Sequence, residues 1–176
     1  YKNYVMRGVA DPTIMQAQEG RYYLVGTSSF DGYKIWPSDD MVTWDTSNVA
    51  LSNLDCSWGD YHFWAPEVYF HGGKYYLAFS AVSDSRGHAC IGLAVSDKPD
   101  LGEPFFDPGY AVIDAHLFFD DDGQVYLFYS RDCAENVVNG RPESHSYVVR
   151  VKEDLSGTQG EPVLLVKPTE PYEFYS

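Results

Sequence analysis

Asp11 and Asp114 occupy matching places in a repeated pattern, and of all the residues in this chain they are the best suited to acid and base chemistry. Asp11 lies between Ala10 and Pro12, just before Ile14 and Met15. Asp114 follows Ala111-Val112-Ile113 and precedes Leu117-Phe118-Phe119. A third copy, Trp64-Ala65-Pro66, has Ala65 where the other two have aspartate. An isolated Asp-Pro ordinarily caps a turn or accepts local backbone amides. Two carboxylates at one repeat position in apolar surroundings are different, because burying an unpaired carboxylate is costly and function is a reason for doing so.

The elements that must position these residues read as short strands. Each motif runs into a Gly-bearing turn and then an aromatic strand: Gly20-Arg21-Tyr22-Tyr23-Leu24, Gly73-Lys74-Tyr75-Tyr76-Leu77 and Gly123-Gln124-Val125-Tyr126-Leu127. The stretches 22–27, 75–80 and 125–130 are β-branched and aromatic, and no stretch has sustained helical periodicity. Units of about 50 residues holding about four strands have the blade size of a β-propeller. The fold class predicted is therefore all-β, a β-propeller with about three blades present: 11–60, 61–110 and 111–167, followed by a tail at 168–176. Propellers close with roughly four to eight blades, so three blades alone leave blade faces uncovered. In a propeller the first strand of every blade lines the central channel, which would bring Asp11 and Asp114 to one cavity.

Composition narrows the function. The formal charge is −14, with 26 acidic against 12 basic residues, which repels a phosphate backbone and argues against nucleic acid as a partner. No apolar run approaches the roughly 20 residues of a membrane helix, so no membrane partner is expected. Localisation is left open, because the chain starts on Tyr1 and a removed export signal would leave no trace in it. Cys56, Cys90 and Cys133 form no CxxC pair, and buried free thiols are expected of them. The run Asp120-Asp121-Asp122-Gly123 fails the calcium-loop pattern, with Phe118 and Tyr129 at ligand positions, and reads as an Asp-Gly hairpin turn. The histidines show no metal-ligand spacing. His62 can lie near a pocket because it precedes Phe63-Trp64, and His71, His88 and His145 read as loop residues. No metal and no cofactor are expected.

Taken in order, Ala10-Asp11-Pro12-Thr13-Ile14, Trp64-Ala65-Pro66-Glu67-Val68 and Ile113-Asp114-Ala115-His116-Leu117-Phe118 resemble the successive motifs of glycoside hydrolase family 43. These are five-bladed propeller enzymes that remove arabinose or xylose from plant polysaccharides. Thr27-Ser28-Ser29-Phe30 followed by Gly32, and Ser38-Asp39-Asp40 with Trp44, resemble the family's first-blade hairpins. The resemblance spans nearly the whole chain and marks it as an N-terminal part of such an enzyme, with an arabinose- or xylose-containing oligo- or polysaccharide as partner.

The resemblance implies an inverting reaction. Asp11 matches the general base that activates a water, and Asp114 matches the aspartate that orients the general acid and keeps its pKa raised. The family's acid is a glutamate in a Glu-Gly-Pro motif, which this sequence lacks, and family spacing places it shortly beyond Ser176. Glu161, Glu170 and Glu173 are the nearby alternatives, with Glu170 to Phe174 resembling the segment that leads up to the acid. Inversion needs the two reacting carboxyls about 6.5–9.5 Å apart, with environments that drive their pKa values apart. Ala65 would leave room for a sugar ring. Trp64 and Phe30 would wall or stack on it, although ordinary blade packing explains both equally well. His116, two residues after Asp114 and so on the same side of the strand, would support a carboxylate. Two other readings compete: a carbohydrate-binding propeller without chemistry, and a retaining fructosidase, whose Asn-Asp-Pro-Asn-Gly motif residues 10–14 do not match.

Overall fold

The computed structural model describes residues 7–97 and 101–173, so Tyr1 and Phe174 to Ser176 lie outside the described residues. Thirteen strands follow in order: β1 (Ala10–Gln16), β2 (Tyr22–Thr27), β3 (Gly32–Ser38), β4 (Asn48–Ser52), β5 (Tyr61–His71), β6 (Lys74–Ser83), β7 (His88–Val95), β8 (Val112–Phe119), β9 (Val125–Arg131), β10 (Val137–Val138), β11 (Arg141–Pro142), β12 (His145–Val151) and β13 (Thr158–Val166). They form three antiparallel sheets, β1-β2-β3-β4, β5-β6-β7 and β8-β9-β12-β13, with β10 and β11 as a separate small hairpin. Among the described residues the helical content is two 3-10 turns, Asn53–Asp55 and Pro171–Glu173.

The hairpin turns follow from local chemistry. Gly72 and Gly73, both at positive φ (55° and 81°), close the β5–β6 turn between the paired His71 and Lys74, as a tight hairpin of this hand requires. Asp120–Gly123 is likewise a turn, with Asp120 N–H donating to Gln124 C=O at 2.9 Å and Gly123 N–H donating to Asp120 C=O at 3.0 Å.

The sheets stack face to face with β5 between β1 and β8. Strand alternation divides the core. Leu77, Phe79 and Ala81 of β6 join Val25, Tyr33 and Phe63 between the first two sheets. Ala78 of β6 joins Ile91, Leu117, Leu127 and Val151 between the second and third. Gly92 admits the Phe79 ring, since a Cβ at Gly92 would stand 2.3 Å from that ring's tip. The far faces of the outer sheets stay uncovered: Ile14 is exposed on the first, and Phe118, Val163 and Leu165 on the third. This arrangement is an arc of a propeller, with three sheets fanned around their first strands.

Those first strands share one irregularity. Ala10 pairs Thr27 and Thr13 pairs Val25; Trp64 pairs Ser80 and Glu67 pairs Ala78; Ile113 pairs Ser130 and His116 pairs Phe128. Each inner strand therefore carries one extra residue at the same place, a β-bulge. In each bulge one residue adopts the left-handed region: Asp11 at φ 46°, Ala65 at 44° and Asp114 at 57°. Aspartate tolerates that conformation better than most residues, and alanine at least lacks β-branching. On the facing strand Gly26 permits the close approach, because a Cβ there would meet the Ala10 carbonyl at 2.8 Å.

Two expectations need correction. His71, His88 and His145 stand at strand ends rather than in loops, because cross-strand pairing extends β5, β7 and β12 beyond their apolar cores. Cys56 and Cys90 are buried free thiols, but Cys133 is only half-buried, since it sits in the turn after β9 rather than in a strand.

The bulge conformation makes a stability prediction. Ala65→Val places a β-branched residue at positive φ and should lower stability by about 1–3 kcal/mol. Asp11→Asn should stay within about 0.5 kcal/mol of wild type. Urea midpoints decide the matter: an unchanged midpoint for Ala65→Val contradicts the strained bulge.

Candidate active site

The three bulges converge. Residues 11–13, 65–67 and 114–116, three from each inner strand, line one open cavity of about 270 Å³. A bulge turns a side chain that regular alternation would direct elsewhere, and here it turns the Asp11 and Asp114 carboxylates into a common space. A larger hollow of about 470 Å³ lies between the first two sheets and includes none of these nine residues. Its lining is chiefly apolar, with Val25, Ile35 and Leu77 among it, so it offers packing space rather than paired carboxylates.

Asp11 is held by Thr27, whose Oγ1 donates to Asp11 Oδ2 at 2.9 Å and accepts from the Ala65 N–H at 3.1 Å. One hydroxyl thus ties the first bulge to the second. Beneath it, the Tyr33 hydroxyl donates to the Trp64 carbonyl at 2.9 Å. Burial, with Asp11 adding to it, holds that phenol well above its usual range. Among the described residues Asp114 has no such donor. More than a third of its surface is open, yet its carboxyl sits in the concave wall, and desolvation there raises its pKa, reinforced by the negative charges of Asp11 and Asp132. The two aspartates therefore occupy different environments, one hydrogen-bonded and one pushed towards protonation.

The same cavity holds a pair of which the sequence suggests only one member. His116 Nδ1 is 2.8 Å from Glu67 Oε2 and 3.3 Å from the Tyr69 hydroxyl, which accepts the Leu117 N–H at 2.8 Å. Burial, followed by the hydrogen bond with Glu67, pushes the Tyr69 hydroxyl above its usual range. Glu67 and Tyr69 were not expected at the site, nor was Thr27. The trace of Glu67 in the sequence is its register: it stands two residues after Ala65, as Thr13 and His116 stand two after the aspartates.

Asp11, Ala65, Asp114 and His116 are thus brought together. Phe30 and Trp64 are not in the lining but in an adjoining aromatic group. Phe30, 62% exposed, stacks on Tyr61 with centroids 5.5 Å apart and meets the edge of His62 at 5.0 Å, while Trp64 stacks on His62 at 4.6 Å. Glu161, Glu170 and Glu173 do not line the cavity. The Glu173 carboxylate accepts the Thr169 N–H at 2.8 Å and the Glu170 N–H at 3.0 Å, and those backbone bonds hold it below the usual carboxylate range. That direction is the wrong one for an acid that must stay protonated. No donor set in the cavity groups three metal-ligating atoms closely enough for an ion, among the described residues.

The chain matches the family model "Glycosyl hydrolases family 43" over residues 1–175. It is 43% identical over 86 residues to "Xylosidase/arabinosidase 43A" of Humicola insolens, which covers 46% of this chain and 25% of that protein. It is 28% identical over 142 residues to an extracellular exo-alpha-(1->5)-L-arabinofuranosidase of Cellvibrio japonicus, covering 69% of this chain and 40% of the relative. Among solved structures it is similar to a thermostable family-43 glycoside hydrolase, with a TM-score of 0.85 at 39% identity over 94% of this chain and 55% of that one. An endo-arabinase from Bacteroides thetaiotaomicron gives a TM-score of 0.76 at 27% identity over 93% of this chain and 57% of its own. The chain therefore spans a quarter to two fifths of these two curated relatives and just over half of the two solved chains.

The raised Asp114 carboxyl has a consequence for stability. An acid whose folded pKa lies above its unfolded one binds more protons when folded, so its ionisation destabilises the fold as pH rises through the interval between the two values. Asp114→Asn should therefore have a higher urea midpoint than wild type at pH 7, and the difference should shrink as pH falls below the ordinary aspartate range. A gain that persists unchanged in acid contradicts the assignment.

Proposed function

Because the chain belongs to glycosyl hydrolases family 43, we propose that this protein is an inverting glycosidase of α-L-arabinofuranosyl or β-D-xylosyl linkages in plant oligo- or polysaccharides. The observation that carries the reading is the convergence of Asp11 and Asp114 on one cavity in unlike surroundings. Glycosidic cleavage passes through an oxocarbenium-like state, so it needs a base to activate water on one face and an acid to protonate the departing oxygen on the other. Asp11, oriented by Thr27, is the base. Asp114 orients the acid, and its negative charge helps keep that acid protonated. Ala65 leaves room for the sugar ring, with the His116–Glu67 pair as its polar boundary. Phe30 and Trp64 belong to an aromatic rim on which sugar C–H faces can stack.

The acid itself has no candidate among Glu161, Glu170 and Glu173, and Glu67 is hydrogen-bonded to His116. We place it outside residues 1–176, so that this chain by itself binds sugar but turns over little. The pocket-forming parts are then three blades, at 11–60, 61–110 and 111–167.

Nitrophenyl arabinofuranoside and xyloside assays test the proposal. The 176-residue chain should give background rates. A chain extended past Ser176 should hydrolyse one of the two with inversion of the anomeric configuration, read by proton NMR. In that longer chain Asp11→Asn should lower kcat by about 10²–10⁴. Retained configuration sinks the inverting assignment, and sugar binding without hydrolysis by the longer chain favours a binding protein. Turnover by the short chain that Glu67→Gln abolishes would move the acid to Glu67.

A further inference from the structure

We propose that His88, Cys90 and Asp107 form a binding site for a borderline-soft divalent cation of the Zn²⁺ type, outside the carboxylate cavity. His88 and Cys90 are two apart on β7 and so project from the same face. Asp107 arrives from the crossover between the second and third sheets. An isolated antiparallel bridge fixes its place: Ile91 N–H donates to Phe106 C=O at 3.0 Å and Phe106 N–H to Ile91 C=O at 3.1 Å, which sets Asp107 opposite Cys90. The ligand atoms of the three side chains lie within 4.8 Å of one another, and His88 Nε2 is 2.8 Å from Asp107 Oδ1. A tetrahedral zinc with ordinary bond lengths separates its ligands by roughly 3.2–3.6 Å, so the triangle needs only small adjustments to close on an ion.

The donor set decides the class of ion. A thiol, an imidazole and a carboxylate suit zinc or cobalt, whereas calcium and magnesium demand oxygen ligands. Cys90 is fully buried, with the Asp107 carboxylate beside it. Asp107 is already oriented, with Gly109 N–H on Oδ1 at 2.9 Å and Arg86 on Oδ2 at 3.0 Å, the kind of outer support that metal-binding carboxylates use. Arg86 also pairs with Glu103, so its positive charge is shared between two carboxylates. The His88 and Asp107 side chains are 14% and 20% exposed, which leaves the fourth position of the ion open towards water. Sequence spacing could not show this site, because one of its three ligands comes from the crossover.

Titration of the 176-residue chain with Co²⁺, followed by absorbance, tests the site. A thiolate-to-cobalt charge-transfer band should appear and be displaced by Zn²⁺. Cys90→Ser should abolish the band, and Cys56→Ser and Cys133→Ser should leave it intact. His88→Ala should weaken binding by about 10-fold or more, and should also abolish the rise in Tm that Zn²⁺ produces in wild type. Circular dichroism identifies variants that have lost the fold. No band at saturating Co²⁺, or a band unchanged in Cys90→Ser or His88→Ala, overturns the proposal and leaves the cluster an ordinary His–Asp–Arg network.

Discussion

The repeated left-handed bulge in the first strand of each sheet is the constraint from which the cavity follows. An unbroken strand would send residues 11, 65 and 114 along the regular alternation, towards the interior of a sheet pair or away from the common axis. One extra residue per strand breaks the alternation at the same level three times, and the resulting turn of the backbone points the three side chains at one another. Each bulge strains a non-glycine residue, a cost of order 1–3 kcal/mol by general experience of such conformations. Strain of this kind persists where the surroundings over-determine it. Here Gly26 yields space, Thr27 clamps two bulges together, and the Tyr33 hydroxyl holds the Trp64 carbonyl.

Given that scaffold, the electrostatics of the cavity follow from small differences between equivalent positions. Among the described residues Asp11 receives a hydroxyl donor and Asp114 receives none, while Asp132 adds like charge to Asp114. Repetition creates the symmetry and hydrogen bonding breaks it, which is what two carboxylates need if they are to take different roles. The second bulge departs further: Ala65 vacates the aspartate position, and the carboxylate of that strand stands two residues later as Glu67, hydrogen-bonded to His116.

The strands and their hairpin turns were legible in the sequence because Gly-bearing turns and aromatic strands recur at blade spacing. So was the coming together of Asp11, Ala65, Asp114 and His116. The bulges were not, because no residue type marks them: aspartate, alanine and aspartate occupy one backbone conformation. Glu67 was hidden by the same symmetry that exposed the aspartates, since attention to one repeat position obscures the next inward-facing one. Thr27 and Asp107 depend on neighbours distant in sequence, and Phe30 and Trp64 could be placed beside the cavity only once the rings of Tyr61 and His62 were located.

The strands that carry the aspartates also carry the uncovered apolar faces. Ile14 follows Asp11 by three residues on β1, and Phe118 follows Asp114 by four on β8; both are exposed, at 48% and 45%. Any element that covered those faces would gain hydrophobic burial and, in doing so, would stand beside the carboxylates. Covering those faces and closing over the carboxylates would therefore be one physical event in this architecture. A donor brought in by such an element would reach the cavity already oriented, because the packing that buries Ile14 and Phe118 also fixes its approach to Asp11 and Asp114. Water would be excluded from the same space at the same time, strengthening every charge interaction inside it.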